Sequence, residues 1–451
     1  MHNMITAERH QVMLLPPTIN EWLPQDHLAA FVAEVVERLD LSHLEQQYRG
    51  SGKTSYSPGL LLQLLFYGYA TGVFSSRKIE TATYDSVAFR YLSGNTHPDH
   101  DTIATFRRRF IKEIKGLFVQ ILLLAKEMGF AKLGTVAIDG TKVKANASKH
   151  KAMSWQYAER LQKQLKDEIK HLLRKAEAAD HQDELEHVDI PEEIRIREKR
   201  LARIEEAKRA IEERARQRHE DVMVRYREHK RRREEEKQRT GRYPRGKAPK
   251  PPVDSGPEKK DQHNFTDADS RIMKSKGGFE QCYNPQAAVD VEDMLIVGTV
   301  MTNNATDTES LLATIDDVEH NLNDRPGAAL ADTGFMSEEN VAGCVQRGID
   351  PYFAVGRDKH NVPLKNRLGK KGRAPKGFSP TRKQMWQKVH DEFGRELYKM
   401  RMCTVEPVFG IIKEVMGFRR FMLRGIEKVT GEWNLVCLAY DIRRLHGIKL
   451  A

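Results

Sequence analysis

The apolar positions of residues 1–130 predict several helices joined by short turns. Segment 57–72 reads SPGLLLQLLFYGYATG, in which a capping serine precedes Pro58, a residue that suits the first turn of a helix. Segments 75–94 and 98–129 also begin on Ser or on Asp and Thr, and both end on glycine. We therefore expect an all-α N-terminal domain, in which consecutive helices with short joints allow a helix-turn-helix arrangement.

A helical period returns in residues 151–240 and predicts a long antiparallel helical hairpin inserted in the chain. Its apolar residues are spaced three or four apart on either side of an acidic break near 180–192. They are Leu161, Leu165, Ile169, Leu172 and Ala176 before the break, and Leu201, Ile204, Ile211 and Ala215 after it. Residues 241–262 are rich in Pro, Gly and Lys, a composition typical of a flexible basic linker.

Between the hairpin and the C-terminus, the pattern alternates short β-type runs with helical ones. It predicts strand, strand, helix, strand, helix and strand, in the segments 279–291, 294–302, 307–322, 328–335, 337–348 and 350–356. A further strand, Val136–Ile138, precedes the hairpin. We therefore expect an α/β domain made of residues 131–150 and 263–451, with a basic loop at 357–390 and a helical C-terminus from about 391.

Charge separates these regions and points to a polyanionic partner. The net charge is +11, yet residues 261–350 hold 17 acidic against 5 basic side chains, and residues 351–400 hold 13 basic against 4 acidic ones. Carboxylates bind metal ions, and basic segments attract a phosphate backbone. Nucleic acid is therefore the first expected partner, ahead of an anionic membrane surface.

Other classes are disfavoured. The longest apolar runs, such as residues 60–66, are too short to span a bilayer, and the N-terminus has no apolar signal region. The four cysteines form no C-x-x-C pair, which argues against a cysteine zinc site and fits a reducing cytosol. We expect a cytoplasmic protein without membrane association.

Three acids stand out by position. Asp139 and Asp332 each end a predicted strand, and ligands of open α/β sheets bind beyond the carboxyl ends of strands. Glu406 precedes Pro407, which predicts a helix start or kink, with Gly410 and Lys413 on the same helix face. Carboxylates suit Mg²⁺, and two metal ions can activate an attacking oxygen and stabilise a leaving one in phosphodiester chemistry.

Ordinary structural roles compete at the same positions. Asp139 before Gly140 could form a tight turn, Asp332 could cap the next helix, and Glu406 could favour a helix N-terminus. Other acids of the region compete for the metal, namely Asp267, Asp269 and Asp290.

Several basic and aromatic side chains are candidates for DNA contact. The basic ones are Arg107, Arg108 and Arg109 near the start of segment 98–129, and Lys142 and Lys144, which alternate on one face of an extended segment. All five could instead be solvated. Phe335 and Trp433 could stack on an unpaired base, but we expect both in the core.

Motifs along nearly the whole chain resemble the DDE-type transposases of bacterial insertion sequences, and specifically the insertion-sequence 1182 branch. The motifs are LLPPTINEWLPQDHLAAFV, YGYATGVFSSRKIE, PDHDTIATFRRRF, AIDGTKVKANASKHKAM, NFTDADSRIM, YNPQAAVD, ADTGFMSEEN and VEPVFGIIK. The resemblance implies a ribonuclease-H-like catalytic core with a mixed sheet and flanking helices, an N-terminal DNA-binding part, and Asp139, Asp332 and Glu406 as the catalytic, metal-binding triad.

The resemblance also implies that Tyr398, Arg401, Glu406 and Lys413 form a signature helix that positions phosphates. Four residues separate Arg401 from Glu406, where the general signature has three. The implied function is DNA transposition: binding of terminal inverted repeats, Mg²⁺-dependent cleavage with Mn²⁺ as a substitute, and joining to target DNA by a homodimer. A catalytically silent DNA-binding repressor, a metal-dependent nuclease and a coiled-coil structural protein are the rival hypotheses.

Overall fold

A computed structural model describes residues 18–48, 55–179, 190–243, 247–275, 278–356, 374 and 377–450 of the chain. The chain divides into two compact units. The first runs to Ala145 and resumes at Cys282, and the second comprises Asn146–Gln281. Most of the basic loop expected at 357–390 lies outside the described residues.

The N-terminal part of the first unit is helical, as its pattern predicts. Its helices are α1 (Leu28–Glu37), α2 (Ser42–Glu45), α3 (Pro58–Thr71), α4 (Ser76–Asp85), α5 (Val87–Leu92), α6 (His100–Arg109) and α7 (Ile114–Glu127). The hydroxyl of Ser57 caps α3 by accepting from the backbone N of Leu60. Segments 75–94 and 98–129 each form two helices rather than one, because Ser86 is extended and Phe110 leaves helical geometry.

A mixed sheet forms the rest of the first unit. Its strands are β1 (Thr135–Gly140), β2 (Val143–Lys144), β6 (Gly278–Asp290), β7 (Ile296–Thr302), β8 (Ala328–Ala331) and β9 (Asp350–Phe353). The long strand β6 lies antiparallel to β1 and β7, and β1, β8 and β9 are parallel neighbours. The strand order is therefore β7-β6-β1-β8-β9, with the short β2 also paired to β6.

Helices cover this sheet. They are α10 (Leu311–Leu322), α11 (Glu338–Gln346), α12 (Pro380–His390), α13 (Glu392–Gly410) and α14 (Ile426–Leu450). Helix α14 is buried over most of its length, because it packs against α3, α7 and β7. Trp433 and Phe335 have no exposed surface, which confirms that both belong to the core. No helix of the described residues is long and apolar enough for a bilayer crossing.

The second unit is built on the predicted hairpin. Helices α8 (Trp155–Ala179) and α9 (Ile190–Thr240) pack together, and β3 (Ala152–Ser154) pairs with β4 (Gln262–Asn264). Their shared cluster contains Met153, Ala158, Leu161, Leu165, Ile204 and Ala207. Strand β5 (Arg271–Ser275) pairs with β6, whose first residues, up to Gln281, also belong to this unit. Residues 263–281 belong to this unit, whereas the sequence pattern assigned them to the catalytic domain.

The end of the expected linker is anchored to the hairpin. Arg218 of α9 forms a two-pronged ion pair with Asp261, at 3.1 and 2.8 Å, and the backbone N of Trp155 donates to the Asp261 carbonyl at 2.7 Å. These contacts fix the return of the chain into β4. A flexible description therefore does not fit this end of the 241–262 segment.

Candidate active site

Two of the predicted acids lie side by side at one end of the sheet. The last paired positions of the parallel strands β1 and β8 are Ile138 and Ala331. Asp139 and Asp332 are the residues that follow these two, so the register delivers both side chains to the same edge. This edge is the carboxyl end of the parallel strands, where α/β sheets bind ligands.

Asp139 is largely buried and holds two hydrogen bonds. Its Oδ1 accepts from the backbone N of Gly140 at 2.8 Å, and its Oδ2 accepts from Nη1 of Arg401 at 3.0 Å. Burial raises the pKa of Asp139 to about 6; Arg401 opposes this rise, and the nearby negative charge of Asp332 adds to it. A further cation next to Asp139 would lower the pKa of this carboxyl group and so favour its ionised form.

Asp332 begins a short turn, Thr333–Phe335. Its Oδ1 accepts from the backbone N of Gly334 at 2.7 Å, so the capping role considered from the sequence is present for this turn. The same oxygen lies 2.9 Å from the point where a β-carbon on Gly334 would stand. Glycine at position 334 therefore keeps the carboxylate unobstructed.

Glu406 reaches the site from α13, which packs against β1, β8 and β9. The expected helix start at Glu406 is wrong, because the helix begins at Glu392 and continues through Pro407 to Gly410. A proline inside a helix removes one backbone hydrogen bond, and the packing of α13 on the sheet compensates for that loss. The irregularity comes afterwards, as a π-helical turn over Ile411–Val415.

Arg401 joins two of the three acids. Its Nη1 donates to Asp139 and its Nη2 donates to Glu406 Oε1 at 3.2 Å, while only 11% of its side chain is exposed. The unusual spacing between Arg401 and Glu406 is therefore compatible with direct contact. Burial raises the pKa of the neighbouring Tyr398, Arg401 opposes this rise, and the charges of Asp332 and Asp139 add to it.

Lys413 comes to the same end of the sheet by way of the π-helical turn. Its Nζ contacts the hydroxyl of Thr141 and donates to the carbonyl of Lys142 at 3.1 Å, immediately beyond Asp139. Glycine at position 410 is not needed for close packing, since among the described residues outside its own helix no atom lies within 4 Å of the place for its β-carbon.

The donors present fit a hard divalent cation in their chemistry. All three acids offer carboxylate oxygens, the ligands that Mg²⁺ prefers. Within the described ranges, however, no three His, Cys, Asp or Glu side chains are already arranged around one ion position. Arg401 neutralises two of the acids, because its guanidinium forms ion pairs with Asp139 and Glu406.

A fourth carboxylate, Asp307, lies beside this edge and was missed from the sequence. Its Oδ1 accepts from Nδ2 of Asn284 at 2.6 Å and from Nε2 of Gln286 at 3.0 Å, and it pairs with Lys142 at 3.5 Å. Asp307 precedes a predicted helix in an ordinary capping position, so the pattern gave it no distinction. The available signal was the pair of amide side chains in the YNPQ motif, Asn284 and Gln286, which alternate within strand β6.

Arg107 requires a correction. Only 8% of it is exposed, and its Nη1 donates to the Tyr69 hydroxyl at 3.1 Å and to the Phe74 carbonyl at 2.9 Å. The Tyr69 hydroxyl in turn donates to the buried Glu432 at 3.2 Å. Arg107 therefore links helices inside the protein and is not a candidate for DNA contact.

The neighbouring arginines differ, because both are exposed. Arg109 donates to the carbonyl of Gln47 at 2.7 Å and lies over the ring of Tyr48, while Arg108 bonds only within its own helix. Lys144 is also exposed, and Lys142 is partly so. Arg108, Arg109 and Lys144 therefore lie on the surface, and the partly exposed Lys142 pairs with Asp307.

Of the competing acids, Asp290 is at the wrong end of the sheet. In the antiparallel pair of β1 and β6 it lies opposite Val136, whereas Asp139 lies opposite Ala287. Its Oδ2 accepts from the backbone N of Asp293, so it forms a turn. Asp267 and Asp269 belong to the second unit.

Comparison with known families gives two separate matches along the chain. The family described as "Transposase domain (DUF772)" matches residues 17–109, and the family described as "Transposase DDE domain" matches residues 247–442. The second match includes Asp332 and Glu406, while Asp139 lies between the two matched ranges. No curated protein and no solved structure matches the chain significantly. The chain therefore carries a transposase domain followed by a transposase DDE domain, and the two matches together support a DDE-type insertion-sequence transposase.

Proposed function

We propose that this transposase hydrolyses phosphodiester bonds at the ends of its own element and joins the freed 3′-OH to target DNA. The motifs favour the insertion-sequence 1182 branch. The strand order β7-β6-β1-β8-β9, antiparallel on one side of β1 and parallel on the other, supports a ribonuclease-H-like core.

One observation carries the proposal. Asp139 and Asp332 follow paired positions of adjacent parallel strands, and Arg401 ties Asp139 to Glu406 of a helix that is distant in sequence. Such convergence of three acids on one sheet edge serves little structural purpose, since burying like charges costs free energy. Carboxylates gathered at one edge are the side chains that a cation-dependent phosphoryl transfer would use.

The chain's own residues would act by positioning and by charge. Asp139, Asp332 and Glu406 would hold Mg²⁺, for which Mn²⁺ can substitute; the bound metal would supply activation of the attacking oxygen and stabilisation of the leaving one. Once Arg401 is released from the acids, its planar guanidinium is suited to a phosphate, which it can hold with two parallel hydrogen bonds. The hydroxyl of Tyr398 and the ammonium of Lys413 would orient the same strand.

DNA would be held by the exposed cations. Lys142 and Lys144 follow Asp139 directly and would bind the phosphates next to the scissile one, and Arg108 and Arg109 would contact DNA from the helical part. Because two element ends must be held together, we propose that the chain works as a homodimer on its terminal inverted repeats and its target. Several phosphate contacts predict a steep fall of affinity with salt.

The test is cleavage and strand transfer on labelled DNA that carries the element's own ends, with Mg²⁺ or Mn²⁺. Asp139→Asn, Asp332→Asn and Glu406→Gln should each lower the rate by about 10³-fold while keeping end binding, because each removes one charged oxygen ligand. Asp290→Asn is the matched control and should retain catalysis.

Three results would contradict the proposal. Full activity in any one of the three variants would remove that residue from the triad. Cleavage without joining would favour a metal-dependent nuclease, and binding without cleavage in the wild type would favour a silent repressor.

A further inference from the structure

We propose that Asp307 is a fourth carboxylate of the cation-binding site and acts together with Asp332. The inference rests on the proposed function, since it adds a residue to the same site. It is carried by the fixed position of Asp307, by its proximity to Asp332, and by two buried oxygen atoms that lack hydrogen-bond donors.

Asp307 is held beside the Asp332 turn by a compact set of hydrogen bonds. The hydroxyl of Thr308 donates to the carbonyl of Gly334 at 2.7 Å. Asn340 then clamps both segments, because its Nδ2 donates to the carbonyls of Thr308 at 2.8 Å and Phe335 at 2.7 Å. These hydrogen bonds therefore hold the segments of Asp307 and Asp332 together.

Both acids also point toward the same glycine. The position of a β-carbon on Gly334 lies 2.9 Å from Asp332 Oδ1 and 3.6 Å from Asp307 Oδ2. On the other side, a β-carbon on Gly140 would lie 2.6 Å from Asp307 Oδ1. Asp307 thus lies between the turns that follow Asp139 and Asp332.

The two oxygens of Asp307 have different surroundings. Oδ1 accepts from Asn284 and Gln286 and pairs with Lys142, which fixes the orientation of the carboxylate. Oδ2 accepts no hydrogen bond from any side chain or backbone group of the described ranges and faces the side of Asp332. An oriented carboxylate with one such oxygen next to a second carboxylate is a typical arrangement for a divalent cation.

Two buried amide oxygens provide independent support. Asn284 and Gln286 have no exposed surface, and each uses its amide nitrogen for two acceptors, Asp307 being one of them. Their oxygens, Oδ1 and Oε1, are buried without a donor in the described part of the chain. The Gln286 amide lies beside Gly140, because its Nε2 and Oε1 both lie within 2.7 Å of the position of a Gly140 β-carbon.

Unsatisfied buried acceptors cost free energy, and a hydrated cation among them removes that cost. The side chain of Asp307 makes no capping hydrogen bond to the turn that follows it, so helix capping does not explain its position. Asp307 adds a further negative charge to the site of Asp139 and Asp332. The neutral amide oxygens of Asn284 and Gln286 lie next to it.

The test is Mn²⁺ binding to the full-length chain, measured by titration calorimetry and by the electron paramagnetic resonance of free Mn²⁺. Asp307→Asn keeps the volume and the oxygen that Asn284 and Gln286 contact, and it should weaken Mn²⁺ binding by about 10-fold or more. Glu309→Gln removes the same charge two residues away and should bind Mn²⁺ like the wild type. Circular dichroism and the unfolding midpoint should match the wild type in both variants.

Equal Mn²⁺ affinity in Asp307→Asn and the wild type would overturn the proposal, and so would an equal loss in Glu309→Gln. Asp332→Asn separates this failure from that of the proposed function. If it loses Mn²⁺ while Asp307→Asn does not, only Asp307 leaves the site. If it binds Mn²⁺ normally, the proposed metal site itself is wrong.

A second measurement needs no variant and covers the case in which Asp307→Asn fails to fold. Fe²⁺ with ascorbate and peroxide, bound in place of Mn²⁺, generates radicals that cut the backbone near the ion. Cuts near residues 139 and 332 accompanied by cuts near 307 would support the proposal. Cuts at the first two positions alone would overturn it.

Discussion

The first unit and the helical hairpin of the second unit use charge in opposite ways. In the first unit, ionisable side chains are buried and held by named partners, as Arg107 is by Tyr69 and as Asp441 is by the backbone N of Ile296 at 2.8 Å. In the hairpin, the buried positions of the helix pair are apolar, and charges such as Arg197 and Glu168 pair on the surface. The first unit therefore holds individual charged side chains at fixed positions, whereas the hairpin is held together by the apolar contact between its two helices.

This difference indicates which region tolerates substitution of its charged residues and which does not. Surface ion pairs contribute about 1 kcal/mol or less, so the hairpin tolerates exchange of its charges. Buried polar groups cost several kcal/mol when they lose their partners, so the first unit admits few alternatives. The sheet edge that carries Asp139, Asp332 and Asp307 belongs to the first unit, where polar side chains depend on specific partners.

The largest expected effect separates a buried arginine from its exposed neighbour. Arg107→Met should lower the free energy of unfolding by about 3–5 kcal/mol, because the Tyr69 hydroxyl and the Phe74 carbonyl lose a buried donor and Glu432 loses a nearby positive charge. Urea unfolding measures the change. Arg108→Met, the control, should lie within about 0.5 kcal/mol of the wild type. Equal stability of the two variants would contradict the buried role of Arg107.

The next effect concerns the bridge between the acids. Arg401→Lys keeps the charge but loses the planar fork that contacts Asp139 and Glu406 together, and it should lower the cleavage rate by about 10²-fold. The rate on labelled end DNA measures this loss. Arg395→Lys changes an exposed arginine of the same helix and should cleave normally. Normal cleavage by Arg401→Lys would show that the fork is dispensable.

The stability of the hairpin should depend on the volume of its buried side chains and hardly on its surface charges. Ile204→Ala removes fully buried methyl groups and should destabilise the hairpin by about 2–4 kcal/mol. Arg197→Ala removes the surface partner of Glu168 and Glu193 and should cost about 1 kcal/mol or less. Hydrogen exchange of the α8 and α9 amides reports both values. A larger cost for Arg197→Ala would reverse the comparison between the two regions.

The smallest effect is a dependence on pH in the first unit. Burial raises the pKa of Asp441 well above its usual range, against the backbone hydrogen bond from Ile296. Its proton is therefore bound more tightly in the folded chain, and the associated stability is lost as pH rises above about 4. Relative to Asp441→Asn, the wild type should lose about 1 kcal/mol or more between pH 4 and pH 7 in urea unfolding. A constant difference would show that Asp441 titrates normally.

Much of the fold followed from local pattern. The capping serine and Pro58 located α3, the heptad spacing located the hairpin, and the apolar runs at 279–302 located β6 and β7. Interruptions were missed, since the breaks at Ser86 and after Phe110 depend on packing and not on a helix-breaking residue. At Pro407 the pattern predicted a helix start where the helix in fact continues, because a helix packed along the sheet tolerates one missing hydrogen bond.

By itself the sequence determined the periods, the caps and the strand ends, and with them the positions of Asp139 and Asp332 at the ends of β1 and β8. These features depend on neighbours within a few residues, and backbone sterics with side-chain alternation suffice to read them. Only the tertiary structure decided which charges are buried and which meet. Arg107 turned inward, Arg401 reached two acids, and Asp307 came to lie beside Asp332, because contacts between distant segments depend on how the elements pack and not on spacing along the chain.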